Sequence, residues 1–186
     1  MQNRNSAKAA RQEFVRFKMI YIYTGEGAGK TTAALGLAMR SLGHEHKVVV
    51  IQYMKGRKNI GEYKIQKYLK NYKVYQFGTQ KFIKPITKAK DIDRQLAYKG
   101  LKSIEEIVKK EKPKLLILDE INLATSIGLL DTYEVLETIK RIPKSIDIVL
   151  TGRYAPKRFI DMADYVNKVE FIKQPKKMIA KKGIQY

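Results

Sequence analysis

Short apolar runs alternate with longer amphipathic stretches along this chain. Residues 18–23 (with the apolar run Met19-Ile20-Tyr21-Ile22-Tyr23), Leu115-Leu116-Ile117-Leu118 and Asp147-Ile148-Val149-Leu150-Thr151 read as strands, as do residues 73–77 and 165–172. Val48-Val49-Val50-Ile51-Gln52-Tyr53-Met54 reads as a continuous apolar strand, the kind covered on both faces of a parallel sheet. Between the strands, Leu35, Ala38, Met39 and Leu42 recur at helical spacing over residues 30–42, and Gly43 is expected to end that helix. Leu96, Leu101, Ile104, Ile107 and Val108 form the stripe of a long helix opened by Asp91. Residues 62–70 and 159–163 read as short helices, and Asp131 as the N-cap of a helix through Ile139. Strand and helix in alternation predict an α/β domain over residues 18–172, with a mostly parallel central sheet of about six strands and helices on both faces. Residues 1–17 read as a polar, basic arm and residues 173–186 as a basic tail.

One strand-to-helix junction carries chemistry. Thr24-Gly25-Glu26-Gly27-Ala28-Gly29-Lys30-Thr31-Thr32 follows the first strand and opens the first helix, the context a phosphate-binding P-loop requires. Glycines let backbone N–H groups turn inward to form an anion site, and the helix start adds unpaired N–H groups and a positive dipole end. Lys30 would meet the outer phosphates and Thr31 a magnesium ion. The usual pattern has glycine where this chain has Thr24, a departure that points to an unusual hold on the nucleotide. Downstream, four aliphatics lead into Asp119-Glu120, which is expected at the sheet edge opposite Thr31, holding magnesium or manganese directly or through water. Arg153 lies just past a strand end, on the same rim, and suits a phosphate fork; its alternative is a surface salt bridge. Arg40 reads either as a cation answering its helix C-terminus or as a phosphate contact. Strand ends of parallel sheets are where ligands bind, which draws attention to the basic loop 55–61 and to the long loop 78–90, where Phe82 and Ile83 could floor a pocket for a large flat ligand.

Composition narrows the classes. The chain has 186 residues and no cysteine, so disulfides, thiolate-bound zinc and thiol nucleophiles are excluded. No run approaches the ~20 apolar residues of a membrane span, and the start lacks a signal-peptide core, so a cytoplasmic protein is expected. A net charge of +20 admits a nucleic-acid partner, but the lysines are spread along the chain, which favours a basic surface with ATP as the relevant polyanion.

Taken together, Thr24-Gly25-x-Gly27-x-Gly29-Lys30-Thr31-Thr32-Ala33-Ala34, Gly61-Glu62-Tyr63, Leu118-Asp119-Glu120-Ile121-Asn122, Leu150-Thr151-Gly152-Arg153-Tyr154-Ala155-Pro156 and Lys182-Gly183-Ile184-Gln185-Tyr186 resemble the P-loop ATP:corrinoid adenosyltransferases of the CobA/CobO/BtuR type. The resemblance implies a RecA-like P-loop NTPase fold and transfer of the 5′-deoxyadenosyl group of ATP to the cobalt(I) of a reduced corrinoid such as cobalamin, with triphosphate released. It further implies ATP bound in reversed orientation, Thr31 and Glu120 at the magnesium ion, Arg40 and Arg153 near the nucleotide, a reductase supplying cobalt(I), and often a homodimer. Some relatives carry lysine at the position of Ala28 and asparagine or aspartate at that of Glu26, and some use a phenylalanine and a tryptophan after the third strand to remove the lower cobalt ligand. This chain has no tryptophan, and Phe82 is the candidate phenylalanine. The alternatives on the same fold are a RecA-like ATPase that binds nucleic acid and a nucleoside kinase.

Overall fold

The computed structural model describes residues 18–80, 90–176 and 180–185. Six parallel strands form one sheet: β1 (Ile20–Thr24), β2 (Val48–Tyr53), β3 (Tyr72–Phe77), β4 (Leu115–Asp119), β5 (Asp147–Thr151) and β6 (Tyr165–Lys168), in the spatial order β3-β2-β4-β5-β1-β6. The helices are α1 (Lys30–Gly43), α2 (Gly61–Lys64), α3 (Asp91–Glu111), α4 (Ile121–Ser126), α5 (Thr132–Arg141) and α6 (Lys157–Met162).

The two-residue period of the strands sorts side chains onto two faces. Val49, Ile51, Leu116, Leu118, Ile148 and Leu150 join the core under α3, α5 and α6, while Val48, Val50, Leu115, Ile117 and Val149 join the core under α1. Every residue of β2 is buried, as a continuous apolar run in a covered parallel sheet demands. Ala34 and Ala38 give α1 a small-residue contact with the sheet, which lets its N-terminus stand close over the strand ends.

Several local expectations change. Gly43 is the last residue of α1 and does not terminate it in a left-handed turn; Glu45 takes that conformation, with φ 60°. The helix expected over 62–70 is α2 followed by a short 3₁₀ turn over Ile65–Lys67, where the Gln66 side chain donates to the Tyr63 carbonyl at 2.8 Å. α4 had no sequence signal of its own. Asp131 does cap α5, accepting from the Tyr133 and Glu134 amides at 2.9 and 3.0 Å. β6 stops at Lys168 instead of running to residue 172, because the backbone beyond it turns onto the glycine-rich loop: the Val169 amide donates to the Thr24 carbonyl and the Val169 carbonyl accepts from the Gly27 amide, both at 2.8 Å.

Candidate active site

The glycines of the loop serve different ends. A Cβ on Gly25 would lie 2.4 Å from the Val169 carbonyl oxygen and one on Gly27 would lie 2.8 Å from the Glu170 backbone, so both are glycine because the chain after β6 passes over them. Gly29 has open space around its missing Cβ but sits at φ 107°, which glycine tolerates best. The Gly27 amide is spent on Val169 and does not face inward with the anion site, a correction to the simple picture of an all-inward loop. Thr24, where a glycine is usual, has a structural reason: its hydroxyl oxygen accepts from the Ala155 amide at 3.1 Å and ties the loop to the turn after β5. Ala28 is exposed, as is Glu26, and Thr32 lies on the exposed side of the first turn of α1.

Lys30 is buried and its ammonium donates to the Gly27 carbonyl at 2.5 Å. Burial pulls its pKa below the usual lysine value; Glu120 opposes that shift and Arg153 adds to it. Arg153 pairs with Glu26 across the loop mouth at 3.1 Å, with 44% of its side chain exposed. An exposed pair of this kind is worth about 0–1 kcal/mol, so an arriving phosphate can replace Glu26 at little cost. Arg40 is exposed in the last turn of α1, about 15 Å along the helix axis from Lys30. Within one chain it does not reach the loop, and its position fits a cation at a helix C-terminus. Phe82 and Ile83 lie outside the described residues.

Asp119 is the centre of the other half of the site. Sheet register sets it beside Gln52. It is fully buried and takes four hydrogen bonds: from the Thr31 and Thr151 hydroxyls to Oδ1 at 2.8 and 2.6 Å, and from Gln52 Nε2 and Lys55 Nζ to Oδ2 at 3.0 and 2.7 Å. Burial works to raise its pKa, but the Lys55 charge and these hydrogen bonds outweigh burial and hold the carboxyl below its ordinary value. With its acceptor sites filled, Asp119 has no vacancy for a metal. Glu120 differs. It sits at φ 64° between β4 and α4, its amide donates to the Thr151 hydroxyl at 3.0 Å, and its Oε2 is buried without a partner. Burial and then the Asp119 charge push its pKa up. A hard divalent ion wants such an oxygen. The donor set that fits a metal is therefore Thr31 with Glu120, and Asp119 is a hydrogen-bond post beside it.

Sequence reasoning gave no role to Gln52, and named Lys55 and Thr151 only as members of the basic loop 55–61 and of the run 150–156. A glutamine inside a fully buried strand was the available signal, since a buried amide demands partners. The run Thr151-Gly152-Arg153 also gains a physical reading. Thr151 bridges Asp119 to the Glu120 amide, and Arg153 reaches Glu26. Gly152, at φ 125°, admits the start of α4, where a Cβ would lie 2.9 Å from the Leu123 amide nitrogen.

Comparison with known proteins identifies the family. The profile of the ATP:corrinoid adenosyltransferase family BtuR/CobO/CobP matches residues 16–186. A corrinoid adenosyltransferase of a Sinorhizobium species is 31% identical over 96% of this chain and 87% of its own length. The corrinoid adenosyltransferases of Pseudomonas aeruginosa and Salmonella typhimurium are 29% and 27% identical, over 90% and 93% of this chain and 83% and 86% of theirs. Among solved structures, a KaiC-like protein of Pyrococcus horikoshii matches with a TM-score of 0.54 at 17% identity, covering 84% of this chain and 74% of its own, which speaks to the P-loop fold alone. The family match spans the glycine-rich loop and Asp119-Glu120, and the chain belongs to the ATP:corrinoid adenosyltransferases, a family of transferases.

Proposed function

We propose that this enzyme transfers the 5′-deoxyadenosyl group of ATP to the cobalt(I) of a reduced corrinoid and releases triphosphate. Cobalt(I) supplies both electrons of the new Co–C5′ bond and ends as cobalt(III). The C5′–O5′ bond breaks, and its electron pair leaves on the triphosphate. No base is required, because no proton moves in that step. The chain's task is to hold a departing polyanion. Lys30 meets it with a buried ammonium, Arg153 with a guanidinium freed from Glu26, and the loop and the start of α1 with backbone N–H groups. Thr31 and Glu120 would hold magnesium or manganese. Bound there, the ion neutralises charge on the triphosphate oxygens. The family resemblance adds that the loop grips the far end of the triphosphate, so that C5′ faces outward to the corrinoid, that a separate reductant delivers cobalt(I), and that two chains pair.

The observation that carries this reading is the convergence on one loop of Lys30, Arg153, the Thr31 hydroxyl and the unpartnered Glu120 oxygen. The test is anaerobic incubation with ATP and chemically reduced cobalamin. The expected products are a light-sensitive Co–C absorption spectrum and triphosphate in equal amounts. Formation of ADP and phosphate with no Co–C spectrum would overturn the reading.

A further inference from the structure

One charged group at the site has no part in that account. Lys55 leaves the end of β2 through Met54, which sits at φ 58°. The next residue, Gly56, crosses the β3 exit so closely that a Cβ would lie 2.3 Å from the Gly78 carbonyl oxygen. This crossing fixes the base of Lys55 and leaves its side chain over the end of β4. The ammonium lies 2.7 Å from Asp119 Oδ2 and 3.4 Å from Thr31 Oγ1, with 22% of the side chain exposed. A threonine hydroxyl beside a carboxylate is the oxygen environment that a divalent ion seeks. An ion bound to Thr31 at the ~2.1 Å typical of magnesium would sit within a few ångströms of this ammonium, and two cations that close repel.

Resting on the proposed metal and triphosphate site, we propose that the Lys55 ammonium is a resident cation that holds the divalent-ion position beside Thr31 and Asp119 and gives it up when nucleotide loads. Without nucleotide, Lys55 satisfies Asp119 and keeps the pocket neutral, so the chain binds metal weakly. Triphosphate oxygens give the ammonium another anionic partner, and the metal then enters on Thr31 and Glu120. The move is linked to the loops around it. Gln52 joins Asp119 to Gln76 through a 2.9 Å hydrogen bond, and Gln76 in turn donates to the Arg57 carbonyl in the same loop as Lys55 at 3.1 Å. Lys55 is thus a positioning residue, one that sets the order in which metal and nucleotide bind.

The test reads Mn2+ affinity by calorimetry without nucleotide. Lys55→Met frees Asp119 as a second carboxylate ligand, and its Mn2+ affinity is expected to rise at least about tenfold over wild type, a change of about 1.4 kcal/mol. The gain is expected to vanish in Lys55→Met/Asp119→Asn. Equal or weaker affinity in the folded Lys55→Met protein overturns the proposal, and so does a gain that survives in the double variant, since it would then not come through Asp119. Lys55→Gln, which keeps a hydrogen bond to Asp119 without the charge, is read in the same way if the methionine variant fails to fold. In wild-type crystals soaked with MnCl2 and inorganic triphosphate, Lys55 is expected off Asp119; Lys55 still bonded to Asp119 beside a bound ion overturns the exchange. None of these arms reads adenosyl transfer, so the exchange and the proposed reaction can fail separately.

Discussion

In the loop from Thr24 to Lys30 the buried polar partners are backbone atoms, the exposed Glu26–Arg153 pair aside: Gly27 bonds Val169, Lys30 bonds the Gly27 carbonyl, and the Thr24 hydroxyl takes the Ala155 amide. Around Asp119 the partners are side chains drawn from α1, β2, the loop after β2 and β5. The two regions meet at Thr31. In the first, Lys30 is desolvated and close to an exposed rim; in the second, Lys55 is neutralised by a buried carboxylate. The first is built to receive an anion, because its cation lacks a carboxylate partner within bonding distance. The second is already balanced and works as a frame. Disturbing the first should therefore cost activity, and disturbing the second should cost stability.

Lys30→Ala gives the largest expected effect. On the proposed reaction it removes the cation that meets the leaving triphosphate, and adenosylation should fall by about 1,000-fold or more, near 4 kcal/mol of transition-state stabilisation. The melting temperature should hold, since Lys30 bonds only a loop carbonyl. A variant that keeps its activity would show that the loop does not grip the triphosphate. Asp119→Asn should show the opposite balance. Its amide oxygen could still face Gln52 and Lys55, but its NH2 would then meet the Thr31 and Thr151 hydroxyls that now donate to Asp119, and Lys55 would be left without a counter-charge. The expected loss is about 3 kcal/mol of stability, read by denaturant unfolding. A midpoint equal to wild type would contradict the frame. Gly27→Ala should cost less, about 2 kcal/mol through overpacking, because its Cβ would press on the Glu170 backbone. Unfolding again measures it, with Gly29→Ala as the comparison: there the space is open and the strain is confined to the left-handed backbone.

The same contrast explains what was legible in the sequence. The loop is a local object: Thr24 to Thr32 are consecutive, so motif, strand and helix could be read together. The six strands and the opening of α3 were legible for the same reason, because period and end signals are local. The frame is long-range. Thr31 and Asp119 are 88 positions apart, Lys55 and Asp119 64. Lys55 has no distinctive neighbourhood; Gln52, an amide in an apolar run, signals a need for partners without naming them, and only sheet register sets it beside Asp119. Motif reading alone left Asp119 and Glu120 alike, though the family resemblance pointed to Glu120, and tertiary contacts assign one to hydrogen bonds and the other to an open oxygen. Arg40 is the converse case: the family resemblance set it near the nucleotide, and the length of α1 carries it away from the loop of its own chain.

The smallest expected effect falls on Glu120, where the two adjacent carboxylates should titrate with opposite signs. Asp119 has a lowered pKa in the folded chain, so its contribution to stability is present above the ordinary carboxyl value and is lost as pH falls through the lowered one. The Glu120 pKa is raised by burial and by Asp119. The folded chain then binds more protons than the unfolded chain between the ordinary glutamate value, about 4.3, and the raised one, so stability increases as pH falls through that window. At neutral pH without metal an ionised Glu120 is therefore a cost, and Glu120→Gln removes it with little change of shape. The variant should melt about 2–4 °C higher than wild type at pH 7 in chelator, a gain near 1 kcal/mol for a chain of this size. The gap should close as the pH is lowered through the carboxylate range, where wild-type Glu120 takes up its proton. Adding manganese with ATP should reverse the order, because the wild-type carboxylate binds a divalent ion more tightly than a neutral amide oxygen does. A glutamine variant that melts lower than wild type in chelator at pH 7 would mean that Glu120 is already paired, and the distinction drawn between the two carboxylates would fail.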